Sequence, residues 1–69
     1  MTEYNFPTQI QLLTGDEVAK ILRISRAYAY RLMQRGTIPT VRLGRSVRVS
    51  YESLSLFIRD NSLPIKSDL

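Results

Sequence analysis

What most restricts the folding of this chain is a pair of short helix signals set a few residues apart. Thr14-Gly15-Asp16-Glu17 places a glutamate three positions after a threonine, the reciprocal pattern that satisfies two orphan N–H groups at a helix start. Val18, Ile21 and Leu22 follow at i, i+3 and i+4, forming one apolar face. Asp16 and Glu17 stand in the first turn, and Lys20 and Arg23 near the end, as the helix dipole favours. After Arg23-Ile24 comes Ser25, a second N-cap. Nothing then interrupts residues 26 to 35 until Gly36 supplies a stop.

At about 100° per residue, the second helix gathers Ala29, Leu32 and Met33 on one side and Ala27, Arg31 and Gln34 on the other. Tyr28 and Arg35 flank one edge, and Arg26 and Tyr30 the other. This helix is amphipathic, with a basic and aromatic outer face. Two short helices whose apolar faces close across a tight turn form the helix-turn-helix unit, which presents the N-terminal half of its second helix to a DNA major groove.

Ile38-Pro39 ends helical structure, and the period changes to two. Val41, Leu43, Val47 and Val49 share one parity, and Arg42 and Arg48 the other. The alternation predicts a hairpin with a three-residue Gly44-Arg45-Ser46 loop that pairs Leu43 with Val47, Val41 with Val49 and Arg42 with Arg48. The four apolar residues then face the core, and two arginines stand opposite each other on the exposed face. Like charges so placed repel, a cost that phosphates along that face would reverse.

Ser50 caps a third predicted helix, with Tyr51, Leu54, Phe57 and Ile58 on its inner side and Leu56 opposite. Leu56 is either an isolated surface leucine or a partner contact. The organisation expected is an arm over residues 1–12, one domain over residues 13–62 and a tail over residues 63–69. Tyr4, Phe6, Ile10 and Leu12 are the arm residues available to tack it onto the domain. The candidate core is Val18, Ile21, Leu22, Ala29, Leu32, Met33, Val41, Leu43, Val47, Val49, Leu54, Phe57 and Ile58.

At 69 residues the chain supports a single core. It contains no histidine and no cysteine, which excludes histidine acid-base catalysis, cysteine nucleophiles, disulfide scaffolds and zinc sites of the Cys/His type. Asp16, Glu17, Glu52 and Asp60 show no metal-ligand spacing, so no catalytic residue, metal or cofactor is expected. No apolar run reaches the roughly 20 residues needed to cross a bilayer; a soluble, cytoplasmic protein without a membrane partner is expected.

The net charge of +4 is unevenly distributed. Lys20, Arg23, Arg26, Arg31 and Arg35 outnumber Asp16 and Glu17 in the helical pair, and Arg42, Arg45 and Arg48 occupy the hairpin with no acid. A basic block is either a solvated surface or the footprint of a polyanion: DNA, RNA or anionic lipid. The aromatics lie on a helix rather than across an open sheet, which disfavours a row of stacked bases and hence RNA.

Taken together, residues 14 to 58 resemble the excisionase-type winged helix-turn-helix family, a relative of the MerR-like DNA-binding domains. The resemblance is carried by Leu13-Thr14 with Glu17-Val18-Ala19, by Ser25 to Gly36 centred on Tyr30-Arg31-Leu32, and by Ile38-Pro39. It continues through Val41-Arg42-Leu43-Gly44-Arg45 and Val47-Arg48-Val49 to Leu54 and Phe57. It implies a mainly α fold with a small β-hairpin, a recognition helix at residues 26–35 and a wing at residues 40–49. It further implies duplex DNA binding, either as an excisionase that bends DNA and assists a tyrosine or serine integrase of a mobile element, or as a small transcription regulator. Tyr28, Ala29 and Val47 depart from the commonest family pattern, which touches target sequence and wing packing more than fold.

Within that frame Arg31 is the foremost base reader, since an exposed arginine bonds guanine O6 and N7 bidentately. Arg26, Ala27 and Tyr30 join it as candidates, Ala27 against a thymine methyl. Ser25, Tyr28, Gln34, Arg35, Arg42 and Arg48 are candidates for phosphate contact, and Arg45 at the wing tip for phosphate or minor-groove contact. Because one small module reads few positions, cooperative self-association on adjacent sites is also expected. A protein-interaction or anionic-membrane-surface module is the alternative of another class.

Overall fold

The computed structural model describes residues 11–63; residues 4, 6 and 10 of the predicted arm, and the tail from residue 64, lie outside them. The elements run β1 (Leu12–Leu13), α1 (Gly15–Leu22), α2 (Arg26–Gln34), β2 (Val41–Leu43), β3 (Ser46–Ser50) and α3 (Tyr51–Asp60). This is a winged helix-turn-helix: three helices with a small antiparallel sheet ordered β1-β3-β2.

Each helix begins where its cap residue dictates. Thr14 Oγ1 accepts the Glu17 N–H at 3.1 Å, and Glu17 Oε1 accepts the Thr14 N–H at 2.9 Å, completing the capping box of α1. Ser25 Oγ accepts from Tyr28 N–H at 3.1 Å, and Ser50 Oγ accepts from Ser53 N–H at 3.0 Å. Both helices of the pair end in the same way. Ile24 N–H reaches Ala19 O at 3.0 Å and Thr37 N–H reaches Leu32 O at 3.0 Å, the long bond of a Schellman turn that requires a left-handed residue. Gly36 takes that conformation at φ 78°, whereas α1 uses Arg23 at φ 61°, the one non-glycine residue with positive φ among those described.

Val18 and Ala19 of α1, Ala29 and Met33 of α2, Val49 of β3, Leu54 of α3 and Ile38 form the buried core. Leu13, Leu22, Ile24, Leu32, Val47 and Phe57 pack around it, partly buried. Ile38 is fully buried where the sequence suggested only a helix stop. β1 was not legible as a strand; Leu13 pairs with Val49 and Leu12 with Ser50, which closes the sheet against α1.

The hairpin differs from its predicted register. β2 and β3 pair Val41 with Arg48, Arg42 with Val47 and Leu43 with Ser46, across a two-residue Gly44-Arg45 loop. Gly44 has φ 63° and Arg45 is not in the positive region, the pattern of a type II′ turn, whose twist matches that of the strands. Directly paired residues share a face, so Arg42 lies beside Val47, and Arg48 lies on the opposite face with Val41 and Leu43. The two arginines therefore do not confront each other. Parity failed because the two-residue loop shifts β2 by one residue against β3: Val47 and Val49 turn to the core, and Val41 and Leu43 fall on the opposite face with Arg48. Val41 and Leu43, expected in the core, are consequently 38% and 52% exposed. Ile21 and Ile58, also expected inside, are exposed at the rims of their helices, as is Tyr51 at the first turn of α3. Leu56 is exposed on the outer side of α3, as its position predicts.

Candidate nucleic-acid interface

Burying Ala29 and Met33, with Leu32 partly buried beside them, turns the opposite side of α2 outward: Ala27, Tyr28, Arg31 and Gln34 are exposed, as is Arg35 at the C-cap. Arg31 and Tyr28, three apart and thus neighbours on the helix surface, place the Arg31 guanidinium carbon 5.8 Å from the Tyr28 ring centre. This contact limits the freedom of an otherwise mobile side chain.

The inner edge of α2 is organised differently. Gly15, the first residue of α1, is buried beneath the Tyr30 ring; a Cβ there would lie 2.4 Å from Tyr30 Cζ. Only glycine permits the ring to sit so close. Tyr30 keeps 39% of its surface exposed, so one face packs on α1 and the rest remains at the surface. Above it lies Arg26, its guanidinium carbon 5.8 Å from the ring centre and its Nε 2.6 Å from Asp16 Oδ1. The hydrogen bond and charge of Asp16, followed by those of Tyr30, raise the Arg26 pKa above its ordinary value.

A groove separates α2 from the wing, lined by Tyr30, Gln34, Arg35, Thr40, Arg42 and Val47. Arg42 reaches it because the observed register puts it on the Val47 face. Recognition-helix and wing cations thus meet in one concavity. Arg48, on the other hairpin face, donates from Nη1 to Val47 O at 3.1 Å and is partly buried. Arg45 occupies the tip of the loop beside Gly44.

Among the described residues Asp16–Arg26 is the only ion pair. Arg31, Arg35, Arg42, Arg45 and Arg48 have no carboxylate partner there, and the positive field of the helix–wing side is uncompensated. No group of three His, Asp or Glu residues capable of holding a metal occurs among the described residues. No helix among them is long and apolar enough to cross a membrane. Asp16, Gly15 and Thr40 were not singled out by sequence reasoning as interface residues. Asp16 looked like a dipole-compensating acid, and nothing in the linear spacing announces its contact with a residue ten positions on.

A family model described as a helix-turn-helix domain matches residues 12–62. The chain belongs to the excisionase-type helix-turn-helix domain family. The match covers both helices of the pair, the wing and α3. The chain is 54% identical over 39 residues to "Putative DNA-binding protein MT0521" of Mycobacterium tuberculosis strain CDC 1551 / Oshkosh, a stretch covering 56% of this chain and 50% of that one. Rv0500A of strain ATCC 25618 / H37Rv, with the same descriptive name, matches with the same identity and coverage. "Uncharacterized protein YvgK" of Bacillus subtilis strain 168 is 39% identical over 44 residues, 64% of this chain and 14% of that protein. The similarity thus spans half the length of the mycobacterial relatives and a small part of the Bacillus one. No solved structure matches the chain significantly.

Proposed function

We propose that this helix-turn-helix domain binds duplex DNA sequence-specifically, with α2 in a major groove and the β2–β3 wing on the neighbouring groove. The observation that carries this reading is the shared concavity lined by Gln34 of α2, Arg35 at its C-cap and Arg42 of the wing. A phosphate strand laid in it meets donors from both elements at once. The names of the two mycobacterial relatives support it.

In this reading Arg31, Arg26, Ala27 and Tyr30 address base edges. Ser25, Tyr28, Gln34, Arg35 and Arg42 hold the backbone. Arg45 enters a groove at the wing tip, and Arg42 and Arg48, on opposite faces of the hairpin, line its two phosphate walls. The physiological role proposed is that of an excisionase, a recombination directionality factor that bends DNA and assists a tyrosine or serine integrase in the cytoplasm. Several protomers associate cooperatively on adjacent sites. This finer role rests on the sequence resemblance.

Gel shifts of the chain with a duplex selected from a random pool, a scrambled duplex and anionic vesicles test the binding claim. Preference for the selected duplex, with affinity falling steeply as salt rises, is expected. Equal binding to both duplexes or stronger capture by vesicles contradicts it. Stimulation of excision in an integrase-dependent assay checks the role, and absence of any effect there returns the chain to the regulator reading.

A further inference from the structure

Among the described residues the Asp16–Arg26 pair is the one place where a cation of the proposed interface is bound to a carboxylate. The pair is solvent-exposed, with 72% of the Arg26 side chain and 52% of the Asp16 side chain accessible, and exposed ion pairs contribute little to stability. The start of α1 does not need it, because Thr14 and Glu17 already complete the capping box. Its clearest consequence is geometric. At 2.6 Å the carboxylate takes Nε of Arg26, and the Tyr30 ring, itself seated on Gly15, borders the same guanidinium. Among the described residues the Arg26 side chain donates to Asp16 through Nε, with the Tyr30 hydroxyl as its other polar neighbour, which leaves donors of the terminal amino groups free.

That arrangement suits one ligand better than another. A phosphate is attracted by net charge, and a carboxylate fixed on the arginine cancels much of the attraction while repelling the phosphate itself. A guanine edge is neutral and presents O6 and N7 to a correctly oriented fork. It loses little from the adjacent carboxylate and gains from a guanidinium whose rotation is already restricted, because less side-chain freedom is lost on binding. We propose that Asp16 is a positioning residue for base recognition, holding Arg26 by Nε so that its terminal amino groups select a guanine at the edge of the bound site. This inference rests on the duplex-binding reading above and adds to it a specific base and a residue outside the recognition helix that secures it.

The test uses the full chain and a duplex selected by the unaltered chain from a randomised pool, with all single-base-pair variants of that duplex at one fixed salt concentration. Arg26→Ala is expected to lower the preference for guanine at one base pair by about ten-fold or more. Asp16→Ala weakens the same preference by roughly three-fold, leaves the other positions unchanged, and adds nothing further when combined with Arg26→Ala. Asp16→Asn, whose amide oxygen still accepts from Nε, retains more of the preference than Asp16→Ala. Thermal melts of the Asp16 variants stay close to the unaltered chain, as an exposed pair requires. Uniformly tighter binding of Asp16→Ala to every duplex, with no change in preference, overturns the proposal, because the carboxylate then acts only as a negative charge near phosphates. Unchanged base preferences in Arg26→Ala also overturn it while leaving duplex binding intact. Failure of the unaltered chain to enrich any sequence defeats the underlying reading itself.

Discussion

The helical pair and the wing are built on opposite terms. α1 and α2 are held by side chains at every level: two capped starts, a shared core of Val18, Ala19, Ala29 and Met33, and the Gly15–Tyr30–Arg26–Asp16 contacts on the outside. The wing is held mainly by backbone pairing and a glycine turn, and its Arg42, Arg45 and Arg48 have no carboxylate partner among the described residues. The difference separates two tasks that a small DNA-binding domain must perform. Orientation, which base reading requires, is invested in the helices; charge, which phosphate binding requires, is left uncommitted in the hairpin.

The contrast breaks most severely through the core that both regions share. Leu54 is 1% exposed and lies in the helix that backs β3, so Leu54→Ala is expected to cost about 2–5 kcal/mol in urea unfolding. Leu43→Ala, at the exposed face of the wing, should change stability by less than about 0.5 kcal/mol. A comparable cost at Leu43 would mean that the outer face of the hairpin is covered in solution.

Arg45→Ala sharpens the electrostatic half of the comparison. It should weaken duplex binding for all sequences alike and reduce the salt slope of log K by about 0.9, the value for one phosphate contact. An unchanged slope removes the wing tip from the interface.

The helical pair was legible in the sequence because its signals are local and redundant. Thr14 and Glu17, Ser25 and Gly36 each name a helix end through a hydrogen bond only a few residues long, and the structure uses all of them. The hairpin carries a weaker signal. Alternation at Val41, Leu43, Val47 and Val49 is equally regular on both strands, yet the observed register puts the β2 pair and the β3 pair on opposite faces of the hairpin. Burial thus depends on register, because a one-residue shift turns a strand's apolar set to the other face, and alternation within each strand does not encode it. Gly44-Arg45 held the better clue, since a glycine at the first loop position favours a two-residue turn. At the interface, the exposed side of α2 followed from helical period. The Asp16–Arg26 contact and the seat of Tyr30 on Gly15 depend on how α1 crosses α2, which no spacing within either helix specifies.

Gly15→Ala probes that crossing directly. Alanine normally stabilises a helix relative to glycine, but here its methyl occupies the space of the Tyr30 ring, and overpacking of this kind costs about 1–3 kcal/mol. Because the clash is with the far end of a side chain, a net loss near the lower bound is expected in thermal melts, with loss of the Gly15–Tyr30 ring NOE. A clear gain in stability would show that the ring moves aside freely.

The smallest effect is expected at the turn between the helices. Arg23 holds a left-handed conformation at φ 61° that glycine adopts without steric cost. Arg23→Gly should raise stability by about 0.5–1 kcal/mol, the relief of strain exceeding the added freedom of the unfolded chain. A loss would show that the arginine side chain itself secures the turn.

The claim on which the account rests is that α2 and the wing engage one duplex together. Titrating a selected duplex into isotopically labelled chain and following the amide NMR signals tests it most directly. Arg31, Gln34, Arg42 and Arg45 are expected to shift in concert and saturate at the same DNA ratio, while Leu56 on the outer side of α3 stays fixed. Shifts confined to α2 or to the hairpin, or larger shifts along α3 than at Arg31 and Arg42, would contradict it.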